Sequence, residues 1–293
     1  MNATATVLVV SGALLHAFWN VHAKKASGGV PFIFLFGLVS VAMTAPVAAV
    51  RLYEGGTSID VPLAAAIVAS AVIHVFYSYA LQRGYRSGDF SVVYPIARGV
   101  APLLTVAGAA LVLFERTPLA NWLGAASIAI GIILLGIGDR IRLERRTGAP
   151  RTIGGRGIGW ACLTGASISA YTLVDGWAIS KLHADPVIYY ALGLALRSAL
   201  FAAPALRDPG SLEASASKSL PQIAVVGICA PLAYLLILFA LQHAPVSQVA
   251  PLREISMLFG VFAGGAHLGE RMGGLKTLGV AALGVGALLV FLA

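Results

Sequence analysis

Apolar residues fill this chain in runs of about twenty, parted by short polar breaks, from the first residues to the last. A hydrocarbon core of roughly 30 Å takes about 20 helical residues to cross. That ruler divides the sequence into ten spans, at about 4–23, 31–51, 61–82, 90–113, 119–138, 157–180, 186–206, 221–242, 246–268 and 273–292. Only His243, Ala244 and Pro245 part the eighth from the ninth. The runs are continuously apolar, without the alternation over about ten residues that marks barrel strands. A helix satisfies every backbone N–H inside lipid, whereas a water-soluble helical bundle would need polar faces that these segments lack. The pattern therefore predicts an all-α membrane protein of ten transmembrane helices.

The longest polar stretch, 139–156, carries Arg140, Arg142, Arg145, Arg146, Arg151 and Arg156 and divides five spans from five. The two sides echo each other. Arg98 precedes Glu115-Arg116 by the spacing that separates Arg253 from Glu270-Arg271, and Gly124 and Gly131 match Gly279 and Gly286. Aligned without gaps, 98–138 and 253–293 share 11 identities in 41 positions. Ala80-Leu81-Gln82 recurs as Ala240-Leu241-Gln242, and Ser11-Gly12-Ala13 with Phe18 resembles Thr164-Gly165-Ala166 with Tyr171. The expected organisation is a first repeat over 1–138, a basic loop over 139–156 and a second repeat over 157–293. An odd number of spans per repeat inserts the halves in opposite directions, and such inverted repeats place a site at the bilayer midplane.

Composition adds direction. Only 11% of residues are charged and 58% are hydrophobic, against about 25% charged in ordinary soluble domains. The net charge of +8 is spread over short loops, which fits membrane topology and argues against a nucleic-acid partner. Odd-numbered loops hold most of the Lys and Arg; the even loops hold Arg51, Arg116 and Lys181. The positive-inside rule then puts both termini outside. The first span has no basic stretch before it, unlike a cleaved signal peptide. Cys162 and Cys229 read as small apolar packing residues.

Polar groups within the spans are the candidate chemistry. Arg98 and Arg253 are repeat partners near the middle of their spans. An arginine there costs about 2.5–3.5 kcal/mol on insertion scales, so each should face a cavity, where it could attract a carboxylate or phosphate, or an ion-pair partner such as Glu254. His16, Trp19 and Asn20 share one face of the first span at helical spacing. His74, Tyr77 and Ser78 do so in the third span, and Tyr171 with Asp175 in the sixth. Tyr94, Tyr234 and Gln248 complete the candidate lining, with Tyr190 and Arg197 as further positions. The competing reading for each is helix packing or interhelical hydrogen bonding. Tyr189 and Trp160 read as interfacial belt residues. A midplane histidine such as His16 can titrate and so couple transport to protons. Pro95 and Pro102 around Arg98, and Pro251 before Arg253, should kink their helices. The seven-residue glycine stripes allow close packing within the chain or in a weak homodimer.

No phosphate-binding Gly-Lys-Ser/Thr loop, no zinc motif and no nucleophile–base set appears in the sequence, so neither a cofactor nor a metal is expected, nor an enzyme. Taken together, the repeats, the Gly-Ala plus aromatic in the first span of each half, and the loop Glu-Arg before a Gly-rich last span resemble the drug/metabolite transporter superfamily, in its EamA-type ten-helix branch. The resemblance implies a basket of ten helices around a central cavity, with the fifth and tenth peripheral. It also implies export or exchange of small metabolites, amino acids among them, across the inner (plasma) membrane. It places both termini in the cytoplasm, opposite to the loop charges. An intramembrane enzyme or flippase acting on lipid head groups, and a passive channel, are the alternatives.

Overall fold

The computed structural model describes residues 1–26, 29–55, 57–148, 155–268 and 273–293, and within these it contains helices and no strand. The helices are α1 (Ala3–Ala23), α2 (Gly29–Tyr53), α3 (Val61–Ser87), α4 (Phe90–Leu111), α5 (Leu119–Thr147), α6 (Gly155–Ser180), α7 (Pro186–Leu206), α8 (Pro209–Ala240), α9 (Val246–Leu252), α10 (Ser256–Leu268) and α11 (Gly274–Leu292). Among the described residues nine helices are long and apolar enough to cross a membrane. The outward surface carries large apolar side chains such as Val7, Leu38, Val47, Leu123, Ile130 and Leu288. Exposed apolar surface on that scale belongs in lipid.

The expected ninth span, 246–268, is not one regular helix. It is α9, a 3₁₀ turn at Arg253–Ile255, and α10. Pro251 supplies no N–H and its ring crowds the preceding turn, which tightens the ladder where the charged pair Arg253-Glu254 sits. The eighth span also differs from expectation, starting at Pro209. Asp208 caps it through Ser211 N, and non-helical Ser219 (φ −127°, ψ 20°) breaks it just ahead of Leu220-Pro221. Pro221 has no N–H to bond the Ser217 carbonyl one turn back, and its ring crowds that turn, so the polar start and the apolar remainder part there. The inter-repeat stretch likewise begins as helix. Arg140 and Glu144 pair at 2.9 Å, and α5 ends at Gly148 in the left-handed region (φ 67°), whose N–H bonds to the Glu144 carbonyl. Arg151, Glu270 and Arg271 lie outside the described residues.

The chain divides into two compact units that do not coincide with the sequence halves. One, here the Asp175 unit, is Ala3–Val75 with Val174–His243; the other, the Arg98 unit, is Met1–Asn2, Phe76–Leu173 and Ala244–Ala293. Each takes helices from both sequence halves. In the Asp175 unit α2 lies antiparallel to α7: Gly37 meets Ser198, Ala48 packs with Val187 and Ala191, and Arg51 pairs with Asp185 at 3.3 Å. Beside them α1 runs along α8, with Gly12 against the Ala233 carbonyl.

In the Arg98 unit the two glycine stripes face each other. A Cβ on Gly124 would lie 2.8 Å from the Gly286 carbonyl oxygen, and one on Gly131 would lie 2.7 Å from that of Gly279. Helices α5 and α11 are therefore antiparallel, and each contact becomes the other when every glycine is replaced by its repeat equivalent. Small residues let backbones approach where lipid offers no hydrophobic drive. Ser127 adds a hydrogen bond to the Ala282 carbonyl at 2.7 Å. The stripes are thus used within the chain.

The cysteines do not pack as expected: Cys162 is exposed and Cys229 half-buried. Lys276 is buried in α11 beside Asp139.

Candidate functional site

Within the Asp175 unit the polar side chains converge on one carboxylate. Asp175, in the last turns of α6, is 1% exposed. Its Oδ1 accepts hydrogen bonds from Ser70 Oγ at 2.6 Å and from the Tyr189 hydroxyl at 2.7 Å. Its Oδ2 accepts one from the Tyr234 hydroxyl. Ser70 also stands 3.3 Å from His74 Nδ1, which itself contacts the Ser70 carbonyl at 2.8 Å. Four residues separate Ser70 from His74, one helical turn, so α3 presents both to the same point.

The other walls come from α7 and α8. Tyr190 stacks on Tyr234 with centroids 5.4 Å apart, and His74 meets Tyr234 edge-on at 6.0 Å. The Arg197 guanidinium lies 5.3 Å over the Tyr190 ring, a cation–π contact. These groups, with Gly193, line a small pocket. Nearer the N-terminus of the same unit, His16 and Trp19 meet edge-on at 4.8 Å and Asn20 donates to the His16 carbonyl at 2.8 Å. Trp19 packs beside Phe32, Ile223 and Val226. None of the three lines the cavity around Asp175.

The Arg98 unit holds a different cluster. Arg98 of α4 approaches Glu254 at 3.2 Å, and Arg253 approaches the same carboxylate at 3.8 Å. All three side chains are more than nine-tenths buried. Arg98 also reaches Ser256 Oγ at 3.4 Å and lies 5.9 Å over the Tyr94 ring. The glutamate is therefore shared by the two repeat-equivalent arginines, and its own repeat position is Gly99, which packs on the Ala129 carbonyl. Tyr77 and Tyr171 meet edge-on at 5.9 Å; Gln248 is buried in α9 and Ser78 half-buried in α3. Glu115 takes a structural place, accepting hydrogen bonds from the Val246 and Ser247 amides at 2.8 and 3.0 Å. It thereby caps α9, whose seven residues could not hold a helix unaided.

One expectation is corrected. Tyr189 is no belt residue: at 3% exposure it is spent on Asp175. Ser70 was missed altogether, though its place one turn before His74 was there to read. Trp160 packs edge-on against Tyr79 at 5.9 Å.

Among curated proteins none matches this sequence. A solved crystal structure superposes with a TM-score of 0.77 at 16% identity, over 100% of this chain and 98% of that one; likeness at that identity speaks for the fold alone. Residues 155–292 match the EamA-like transporter family, in agreement with the resemblance read from the motifs. That stretch contributes Asp175, Tyr189, Tyr190, Arg197 and Tyr234 to the cavity. This multi-pass helical membrane protein thus carries a domain of the EamA-like transporter family over residues 155–292.

Proposed function

We propose that the protein is a secondary carrier, an exporter or exchanger, of small polar metabolites, amino acids foremost among them, working by alternating access in the inner membrane. The observation that carries the reading is the Asp175 cavity, a polar pocket built largely by the transporter domain from membrane-spanning helices. A buried carboxylate inside a span is costly, and a carrier is the kind of protein that uses one. The inverted repeat that alternating access needs is supported by the antiparallel pairing of equivalent helices, α2 with α7 and α5 with α11, and by the interchange of their glycine contacts. The buried arginines Arg98 and Arg253 are a second polar centre, which the carrier would rearrange as it changes state.

The test is counterflow in proteoliposomes against a panel of amino acids, sugar phosphates and cationic drugs, at two pH values. Saturable exchange of one class is expected. Conductance far above carrier turnover would replace the carrier with a channel, and product formed in detergent without a gradient would replace it with an enzyme acting on lipid head groups.

A further inference from the structure

We propose that the Asp175 cavity is a primary-ammonium site: the carboxylate of Asp175 receives the R–NH₃⁺ group of the ligand, with Ser70, Tyr189 and Tyr234 as the remaining hydrogen-bond partners. This rests on the carrier reading only for its biological use; the binding chemistry stands on its own.

Asp175 is enclosed, yet no cationic side chain lies within ion-pairing distance of it among the described residues. An anion held in a low-dielectric interior without a countercharge is unfavourable. The protein meets that need in part with three O–H donors, two on Oδ1 and one on Oδ2. Three donors converging on a carboxylate is what an ammonium group itself presents. All three donors are hydroxyls, which accept as well as donate. An entering ammonium can give one N–H to Asp175 and the others to hydroxyl oxygens, while the hydroxyls keep their own protons on the carboxylate. Backbone N–H donors could not play both parts.

The walls favour the same guest. The Tyr190 and Tyr234 rings are stacked at the cavity with His74 edge-on to Tyr234, and aromatic faces attract cations. Arg197 already occupies the face of Tyr190 in this way. It is the one arginine lining the cavity, and it offers the carboxylate of a zwitterionic ligand a partner.

The test uses the full-length protein purified in detergent, with thermal unfolding followed at millimolar n-propylamine, L-alanine, propionate, N-acetyl-L-alanine and choline, at matched ionic strength. n-Propylamine and L-alanine are expected to raise the melting temperature. Propionate, N-acetyl-L-alanine and choline, which lack a primary ammonium, are expected to leave it unchanged. Asp175→Asn should abolish the amine-dependent shift. Ser70→Ala, which keeps the carboxylate and removes one hydroxyl, should weaken apparent n-propylamine affinity three- to tenfold, and it serves if Asp175→Asn does not fold. The inference is overturned if n-propylamine stabilises no more than propionate, or if Asp175→Asn or Ser70→Ala binds it as the parent does. Counterflow separates the two readings: flux that is indifferent to Asp175→Asn sinks the ammonium site and leaves the carrier, while ammonium binding without flux does the reverse.

Discussion

Replacing Gly131 with alanine isolates what the glycine stripes contribute. The new Cβ would lie 2.7 Å from the Gly279 carbonyl oxygen and 2.7 Å from Leu283 N. Both are backbone atoms of α11 and cannot rotate aside. Carbon–oxygen contacts settle at about 3.3–3.6 Å, so the helices must separate locally by roughly 0.6 Å. Overpacking of this kind costs about 1–3 kcal/mol. The same separation stretches the Ser127–Ala282 hydrogen bond from 2.7 Å, a loss of about 0.6 kcal/mol on the average for interhelical bonds in membranes. Alanine's greater helix propensity, worth up to about 1 kcal/mol, works the other way.

Gly284 provides the control. It lies on α11 too, and a Cβ there meets nothing within 4 Å, so Gly284→Ala changes propensity without the clash. The expected result, from reversible unfolding in mixed detergent micelles, is that Gly131→Ala is less stable than Gly284→Ala by about 1–3 kcal/mol. Gly279→Ala should behave like Gly131→Ala, because its Cβ would meet the Gly131 carbonyl at 2.9 Å. The double variant should cost clearly less than the sum, since helices already parted for one methyl accept the second. Equal stability of Gly131→Ala and Gly284→Ala, or strict additivity of the pair, would refute the interlocked stripes.

Glu254→Gln leaves two buried guanidinium groups without their shared carboxylate and should cost about 3–5 kcal/mol, read by the same unfolding assay; a loss under 1 kcal/mol would mean that the charges are hydrated. Glu115→Ala removes the acceptor for two amides of α9 and should cost about 0.5–2 kcal/mol, with faster hydrogen exchange in peptides covering 246–248 and not in those from α5. Asp185→Ala loses a cap on the Val187 and Ile188 amides as well as the Arg51 contact. It should therefore cost more than Arg51→Ala, whose side chain is 49% exposed and whose surface pair is worth about 0–1 kcal/mol.

What the sequence made legible follows the physics of each element. Bilayer length and continuous apolarity found nearly every span, because the lipid imposes both. The glycine stripes and the arginines at matched spacing were visible as sequence echoes, and the structure brings the two stripes face to face within one unit. The grouping of helices was not legible, since pairing of α2 with α7 depends on small-residue contacts such as Gly37 on Ser198, which carry no periodic signature. The break at Ser219 hides in a polar stretch that looks like a loop. Periodicity brought His74 and Asp175 forward, but the partners on α7 lie on another helix. Tyr189 therefore read as an interfacial aromatic until its hydroxyl was seen on Asp175.

The two polar clusters solve the same problem in different ways. Around Glu254 charge meets charge: a carboxylate lies between two guanidinium groups at 3.2 and 3.8 Å. Such an arrangement is strongly destabilised when one member is lost, yet well-packed apolar residues of like volume often serve stability as well or better. Stability alone is therefore a weak reason to keep it. Around Asp175 the surrounding protein supplies three hydrogen bonds and, among the described residues, no cation at ion-pairing distance, the nearest arginine of the pocket wall, Arg197, lying over Tyr190 instead. A carboxylate held this way is satisfied in its geometry but not in its charge, and the difference is available to an arriving cation. The Arg98 cluster sets two guanidinium groups on one carboxylate, so its surplus charge is positive and disfavours a bound ammonium. The asymmetry gives Asp175, rather than the two arginines that share one glutamate, the stronger claim to a cationic ligand.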